Sequence, residues 1–310
     1  VSAQSFIRAA ELWLPSADFG VLDYRGGLYG LGSQMARVSA DMCFGRAEGL
    51  PGRAWDDAVP VVLKSLTGSY FRRGDAAVAD GLSVGIALPF FDGGRIRAVA
   101  VLYGGEDDEH AGAVELWHND PAQGKDMTLA EGFYGQTAET FEYVSRRTSF
   151  RRGTGLPGLA WQQHAPVVLP DLGRGSGFLR SDSAVKVGIN RGLAFPCATP
   201  GAGTWVLAFL SALGTPIAQR VEVWRPGPAG APPVLGSGCC ETEGLLADGS
   251  ENLPAVPGCI LDCWTSGLPT LTRALAEQPN RGARQPGLSS MLVLPVLEGG
   301  AVKATVALYL

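Results

Sequence analysis

A chain of 310 residues with 46% hydrophobic content is long enough to bury more than one core, and ordinary domain sizes predict two or three. Charged residues make up only 18% and the formal net charge is −5, which excludes the global positive field that would draw a protein to nucleic acid or to an acidic membrane. The opening residues lack a basic segment followed by a long apolar core, and no later apolar run reaches the length of a membrane span, so a soluble chain is expected.

Six cysteines are too few to scaffold a chain of this length through disulfides, which points to a reducing, cytoplasmic compartment. The sequence opens on Val1 rather than Met, so an output domain beyond either end is also an expectation.

In chain order, the first feature is an apolar strand with an acid two residues before a tryptophan, AAELWLP around Trp13. GSQMARVSADM (Gly32 to Met42) spaces its apolar groups for a helix and leads toward GLPGRAW at Gly49 to Trp55. RGDAAVADGL predicts a short helix starting near Asp75. IALPFF around Pro89 and RIRAVAVLY (Arg95 to Tyr103) then read as strands.

The series then returns as AVELWHN around Trp117, the helical QTAETFEYVSRR (Gln136 to Arg147), GLPGLAW at Gly155 to Trp161, a short helix near Asp182, LAFPCA around Pro196 and TWVLAFL (Thr204 to Leu210). A weaker third pass has RVEVWRP around Trp224, PAVPGCIL at Pro254 to Leu261 and LVLPVL around Pro295. A period of about 105 residues predicts three homologous domains, 1–108, 109–215 and 216–310. Strands separated by short helices predict an α+β class with antiparallel sheets. Only GGEDDEHAGA joins the first copy to the second and SALGTPIAQR the second to the third. The copies are therefore expected to pack as a rigid array, with hairpin-like junctions where strands could be exchanged.

One long ordered pattern runs F-x-x-G-x-G-L-P-G-x-x-W, P-V-V, F-x-R-x-D-x-A-x-x-x-G and a strand ending in proline. The second copy has Phe150, Gly153, Gly155 to Gly158, Trp161, Pro166 to Val168, Phe178, Arg180, Asp182, Ala184, Gly188 and Pro196. The first copy matches with Phe44, Gly49 to Gly52, Trp55, Pro60 to Val62, Phe71, Arg73, Asp75, Ala77, Gly81 and Pro89. In this pattern the chain resembles GAF domains, small PAS-like sensor domains of signalling and regulatory proteins. The resemblance implies antiparallel sheets flanked by short helices, and a small ligand between the sheet and the segment from Leu172 to Ile189. It also implies pairing into homodimers or with a signalling partner. The third copy departs from the pattern, with Leu261 where the tryptophan is expected and no F-x-R-x-D element in RALAEQPNRGARQPG.

Phe71, Arg73 and Asp75, with Phe178, Arg180 and Asp182, form the candidate ligand-binding set. An arginine beside an aromatic at the lip of a cleft could grip a carboxylate or phosphate through paired hydrogen bonds. On the structural alternative, Asp75 and Asp182 cap the helices that follow, and the arginines are solvated or bridge to a neighbour. The Gly155 to Gly158 turn lacks the Lys-Ser/Thr ending and the strand-before, helix-after setting of a phosphate loop, and reads as a tight connection. Trp55 and Trp161 read as core packing.

Asp41 to Phe44 spells the D-x-C-F motif of bilin-binding GAF photoreceptors, but Ala79-Asp80 stands where a Cys-His pair is expected, so the match reads as chance. Cys239, Cys240, Cys259 and Cys263 lack the pair-plus-pair spacing of a zinc site and read as buried thiols or a single disulfide. Gly258-Cys259 resembles the free methionine sulfoxide reductases built on GAF domains, yet their downstream Cys-Asp segment has no counterpart in NRGARQPGLSS. His110, His118 and His164 build no catalytic triad. No catalytic residue, metal site or required cofactor is assigned.

The expected function is a non-enzymatic sensory or regulatory protein that binds an unidentified small molecule in GAF-type pockets, without nucleic acid or membrane partners. The alternatives are a scaffold whose pockets are filled by side chains and, more remotely, a thiol redox enzyme.

Overall fold

The computed structural model describes residues 5–105, 112–135, 139–173, 177–212, 214–246, 256–277 and 287–310. The first sheet comprises β1 (Ile7–Pro15), β2 (Leu22–Leu28), β3 (Cys43–Phe44), β4 (Val61–Leu63), β5 (Val84–Asp92) and β6 (Arg95–Gly104). The second comprises β7 (Gly112–Asn119), β8 (Met127–Phe133), β9 (Ser149–Phe150), β10 (Val167–Leu169), β11 (Arg191–Cys197) and β12 (Thr204–Ser211). The third comprises β13 (Arg220–Arg225), β14 (Val234–Cys240), β15 (Gly244–Leu246), β16 (Thr270–Thr272), β17 (Met291–Glu298) and β18 (Ala301–Tyr309). The helices are α1 (Gln34–Ser39), α2 (Gly49–Asp57) and α3 (Gly74–Ala79) in the first copy, α4 (Glu139–Arg147), α5 (Gly155–Gln163) and α6 (Ser181–Lys186) in the second, and α7 (Gly258–Ser266) in the third.

Each sheet has one topology, antiparallel with strand order third, second, first, sixth, fifth, fourth. The fold is therefore α+β, with the same unit built three times. Among the described residues no strand is exchanged across a junction. Strands β6 and β7 belong to different sheets, as do β12 and β13, and each sheet is completed by strands of its own copy. Most of the first junction, 106–111, lies outside the described residues.

The strands are apolar on both faces, and alternation sends the two sets of side chains to different cores. Along β6, Val99, Val101 and Tyr103 face the helices of their own unit, whereas Ala98, Ala100 and Leu102 face away. The second faces of all three sheets meet in one shared core. Ile86 and Leu102 of the first, Leu193 and Phe209 of the second and Leu292 and Leu308 of the third lie there, each buried. At about 1.5–3 kcal/mol per fully buried large apolar side chain, this core binds the units far more strongly than the polar contacts around it.

The contacts close on themselves: β4 packs against β8, β10 against β14, and β16 against β2. The polar side chains at these seams follow the same rotation. Just after β4, Lys64 Nζ lies 2.6 Å from Glu131. Just after β16, Arg273 Nε donates to the Gly27 carbonyl at 2.8 Å. Arg191 pairs with Glu241 at the remaining seam.

The G-L-P-G segments are not the tight connections expected from sequence. They form the first turns of α2 and α5, each preceded by a two-residue strand, so the strand-before, helix-after setting is present after all. Pro51 and Pro157 fit because a first-turn N–H has no intrahelical acceptor to lose. Gly155 has φ of +65°, and a Cβ there would lie 2.5 Å from the Phe150 ring. A Cβ on Gly158 would lie 2.3 Å from the Arg151 carbonyl oxygen. These glycines let chain and helix pack closely together.

The third copy also needs a corrected alignment. Helices α2, α5 and α7 each have nine residues and end on a left-handed residue, Ala58, His164 and Gly267. Trp264, not Leu261, therefore holds the place of Trp55 and Trp161, and Leu261 points toward solvent, 37% exposed. Cys259 and Cys263 fall where α2 buries Leu50 and Ala54, so they act as small core residues.

Gly158→Ala should destabilise the chain by about 1–3 kcal/mol in chemical denaturation, because the clash is with backbone. Gly201→Ala, where a Cβ meets nothing within 4 Å, should stay within about 0.5 kcal/mol of the native chain.

Candidate functional site

The acid of each E-x-W strand points inward. Glu11 on β1, Glu115 on β7 and Glu222 on β13 are all fully buried. A carboxylate taken out of water must be paired with a cation and hydrogen-bonded, or lose its charge. In every copy the tryptophan two residues on, which shares its face of the strand, donates Nε1–H to it: Trp13 at 2.9 Å, Trp117 at 3.0 Å and Trp224 at 2.9 Å.

In the first unit the cation is Arg73. Its Nη1 pairs with Glu11 Oε1, and its Nη2 lies 3.0 Å from Oε2. Tyr29 Oη and Tyr103 Oη donate to the same carboxylate at 2.7 and 2.9 Å, and the Ser39 hydroxyl lies 2.8 Å from Oε1. The guanidinium sits among Trp13, Phe44, Phe71 and Tyr103, with its Cζ 5.1 to 5.8 Å from the ring centroids.

The second unit repeats the arrangement around Arg180. Its Nη1 pairs with Glu115 Oε1 and its Nη2 lies 2.8 Å from Oε2. Tyr134 Oη donates to Glu115 at 3.0 Å. Trp117, Phe141, Phe150 and Phe178 surround the head group at 5.0 to 5.6 Å.

The third unit meets the same need from a different place. Arg220 stands two residues before Glu222 on β13, where the other copies have Ala9 and Ala113, and its Nε donates to Glu222 at 2.7 Å. Tyr309 Oη donates to that carboxylate at 2.7 Å. Neighbours two apart on a strand share a face, so this substitution delivers a cation from the strand itself. Most of RALAEQPNRGARQPG, at 278–286, lies outside the described residues.

The structure therefore brings Phe71 to Arg73 and Phe178 to Arg180, but places all four inside rather than at the lip of a cleft. Asp75 and Asp182 are exposed in the first turns of α3 and α6. They are not the caps expected of them, since the N-cap residues are Arg73 and Arg180, neither of which caps through its side chain. Sequence reasoning passed over the glutamates, which it used only to mark repeats. An acid inside an apolar strand, three times beside a tryptophan, was the signal.

Burial alone would raise the Glu11 carboxyl, but the charge of Arg73 and hydrogen bonds from Arg73, Tyr29 and Ser39 outweigh it and hold it below the usual carboxylate range. Glu115 is lowered in the same way by Arg180, Ser145 and Tyr134. Burial and the adjacent Glu11 push the Tyr29 phenol far up, so it stays a donor.

Elsewhere the chemistry is sparse. All six cysteines are free. Burial pushes Cys197 and Cys259 up to about 12 and Cys239 to about 11, and raises Cys263 as well. Cys43 is exposed, while Phe44 beside it packs edge-on against Trp13 at 4.8 Å. Among the described residues no group of three or more His, Cys, Asp or Glu could hold a metal ion, and no helix is long and apolar enough to cross a membrane. His118 stacks on Trp205 at 4.0 Å, His164 lies 2.8 Å from Arg152 and 3.3 Å from Glu298, and His110 lies outside the described residues. An open polar groove of about 870 Å³ at the β7–β8 end of the second unit is lined by His118, Lys125, Asp126, Arg151 and Arg152 among others.

Arg73→Ala should cost about 3–5 kcal/mol, because it strands a buried carboxylate. Glu11→Leu with Arg73→Met should cost much less, and chemical denaturation of the three chains decides the comparison. The depressed glutamates also set a pH dependence. Their contribution is complete above the unfolded carboxylate value of about 4.3 and is lost as pH falls through the lower folded values. The slope of stability against pH below that point should be shallower in the Glu11→Gln, Glu115→Gln chain than in the native one.

No known family profile matches the chain, and no curated protein does. Solved structures do. The GAF domain of A. aeolicus nlh2 in an inactive state is 18% identical, with a TM-score of 0.27, over 33% of this chain and 60% of that one. The GAF domain of a phosphoenolpyruvate-protein phosphotransferase from Coxiella burnetii is 19% identical, with a TM-score of 0.26, over 32% and 56%. The free methionine-R-sulfoxide reductase from Neisseria meningitidis, solved with its substrate, is 16% identical, with a TM-score of 0.26, over 32% and 52%. The chain thus spans between half and three fifths of these proteins, and each match extends over about a third of its own length.

Proposed function

We propose that this chain is a non-enzymatic regulatory protein of three GAF-like units, 1–108, 109–215 and 216–310, that works as a rigid scaffold. The observation that carries the reading is the occupied interior. Between sheet and helices, where the resemblance to GAF domains implies a ligand, Arg73 and Arg180 are already engaged by Glu11 and Glu115. The third unit satisfies Glu222 from Arg220 in the same spirit.

Thiol chemistry at Cys197, Cys239 and Cys259 is disfavoured on physical grounds, since the nucleophile is the thiolate and burial keeps these thiols protonated at neutral pH. The shared core consumes the second face of every sheet. A signalling partner or a second copy would therefore meet the outer, helical side of the units.

One observation favours a second reading as a sensor. The open groove beside Arg151 and Lys125 could take an anionic small molecule without entering any unit's interior. A thermal-shift and native mass-spectrometry screen against nucleotides, amino acids and small anions separates the readings. The scaffold predicts no saturable ligand. Saturable binding abolished by Lys125→Glu with Arg151→Glu would establish the sensor, and saturable binding abolished by Arg180→Lys would overturn the occupied interior.

A further inference from the structure

The guanidinium of Arg180 is held as a bound ligand would be held. Glu115 accepts from both of its terminal nitrogens, Oε1 from Nη1 and Oε2 from Nη2. Ser145 Oγ accepts a further bond from Nη1. Phe141 and Phe178 stand 5.0 Å from its Cζ, Trp117 at 5.3 Å and Phe150 at 5.6 Å. Apart from Phe178, these groups come from β7, α4 and β9, elements distant in sequence from Arg180. Nε, the nitrogen on the chain side, is buried with no hydrogen-bond partner among the described residues, and the same holds for Nε of Arg73. Recognition is directed at the two terminal nitrogens and the planar head, not at the segment that delivers them.

We propose that the interior of each of the first two units is a guanidinium-binding site which the chain occupies with its own arginine. With that arginine removed, the ligand class the site takes in trans is a small molecule ending in a guanidinium whose two terminal nitrogens are unsubstituted. The chemistry selects that head over an ammonium. A carboxylate matches the planar fork with two parallel hydrogen bonds, and the rings stack against a delocalised cation that sheds water readily. A tethered head group competes at an effective concentration in the millimolar range, so free ligand enters only when the arginine has left.

The inference rests on the occupied interior proposed above, and its test is separate. Arg180→Gly would be made in the full chain and its thermal unfolding followed with increasing methylguanidinium chloride, with methylammonium chloride at equal ionic strength alongside. The variant should unfold at a lower temperature than the native chain. Methylguanidinium should raise its midpoint saturably, methylammonium should not, and the response should vanish in Arg180→Gly with Glu115→Gln. No rise, an equal rise with methylammonium, or a response that survives loss of Glu115 would overturn the proposal. If Arg180→Gly does not fold unaided, the soluble yield on refolding in the two salts gives the answer: a gain confined to methylguanidinium supports the site, and equal yields overturn it. A saturable response of the native chain would count against the occupied interior, while the Glu115-dependent response of the variant would still decide this inference.

Discussion

A fully buried carboxylate governs the interior of every unit. Glu11, Glu115 and Glu222 each sit in the middle of a strand packed on both faces, where an isolated charge would cost several kcal/mol. The surroundings are arranged to prevent that cost. The i+2 tryptophan, a tyrosine and an arginine all turn toward the acid, and in the first two units the aromatic residues turn toward the arginine in turn. Much of what distinguishes the interior from a purely apolar core follows from one acidic residue per unit.

The same constraint explains how the third copy departs from the pattern yet keeps its fold. The need is for positive charge at a point in space, and the chain can supply it from a loop 62 residues away, as Arg73 does, or from the adjacent inward position on the strand, as Arg220 does. In the same unit Cys259 and Cys263 are buried in the core among Trp224, Ile260 and Met291. What looks from sequence like a cysteine cluster is a set of ordinary core positions.

The fold was legible because it is periodic. Glycine-bounded apolar strands, helical spacing before each G-L-P-G, and three returns of the same series led directly to three like sheets of antiparallel strands. The interior was less legible for a definite reason: spacing tells which residues face inward, but not which of them meet. Arg73 and Glu11 lie far apart in the chain and carry no shared motif, so the arginine was read with its sequence neighbours, Phe71 and Asp75, rather than with its partner. The third helix shows a related limit. A Pro-Gly pair drew the alignment to Gly258, whereas the left-handed ends of equally long helices place Trp264 opposite Trp55.

The closed rotation of contacts among the sheets has a further consequence. In an open stack of repeats the first and last members need a polar outer face, because each lacks a neighbour on one side. Here the third sheet returns to the first, through β16 against β2 and through the Ile7 backbone N–H donating to the Ile217 carbonyl at 3.0 Å. Each of the three sheets thus has a neighbouring sheet on both sides. The irregular third copy therefore need not be a cap, and its freedom to diverge is a freedom of its helical side alone, since its sheet must still present the same face to two neighbours.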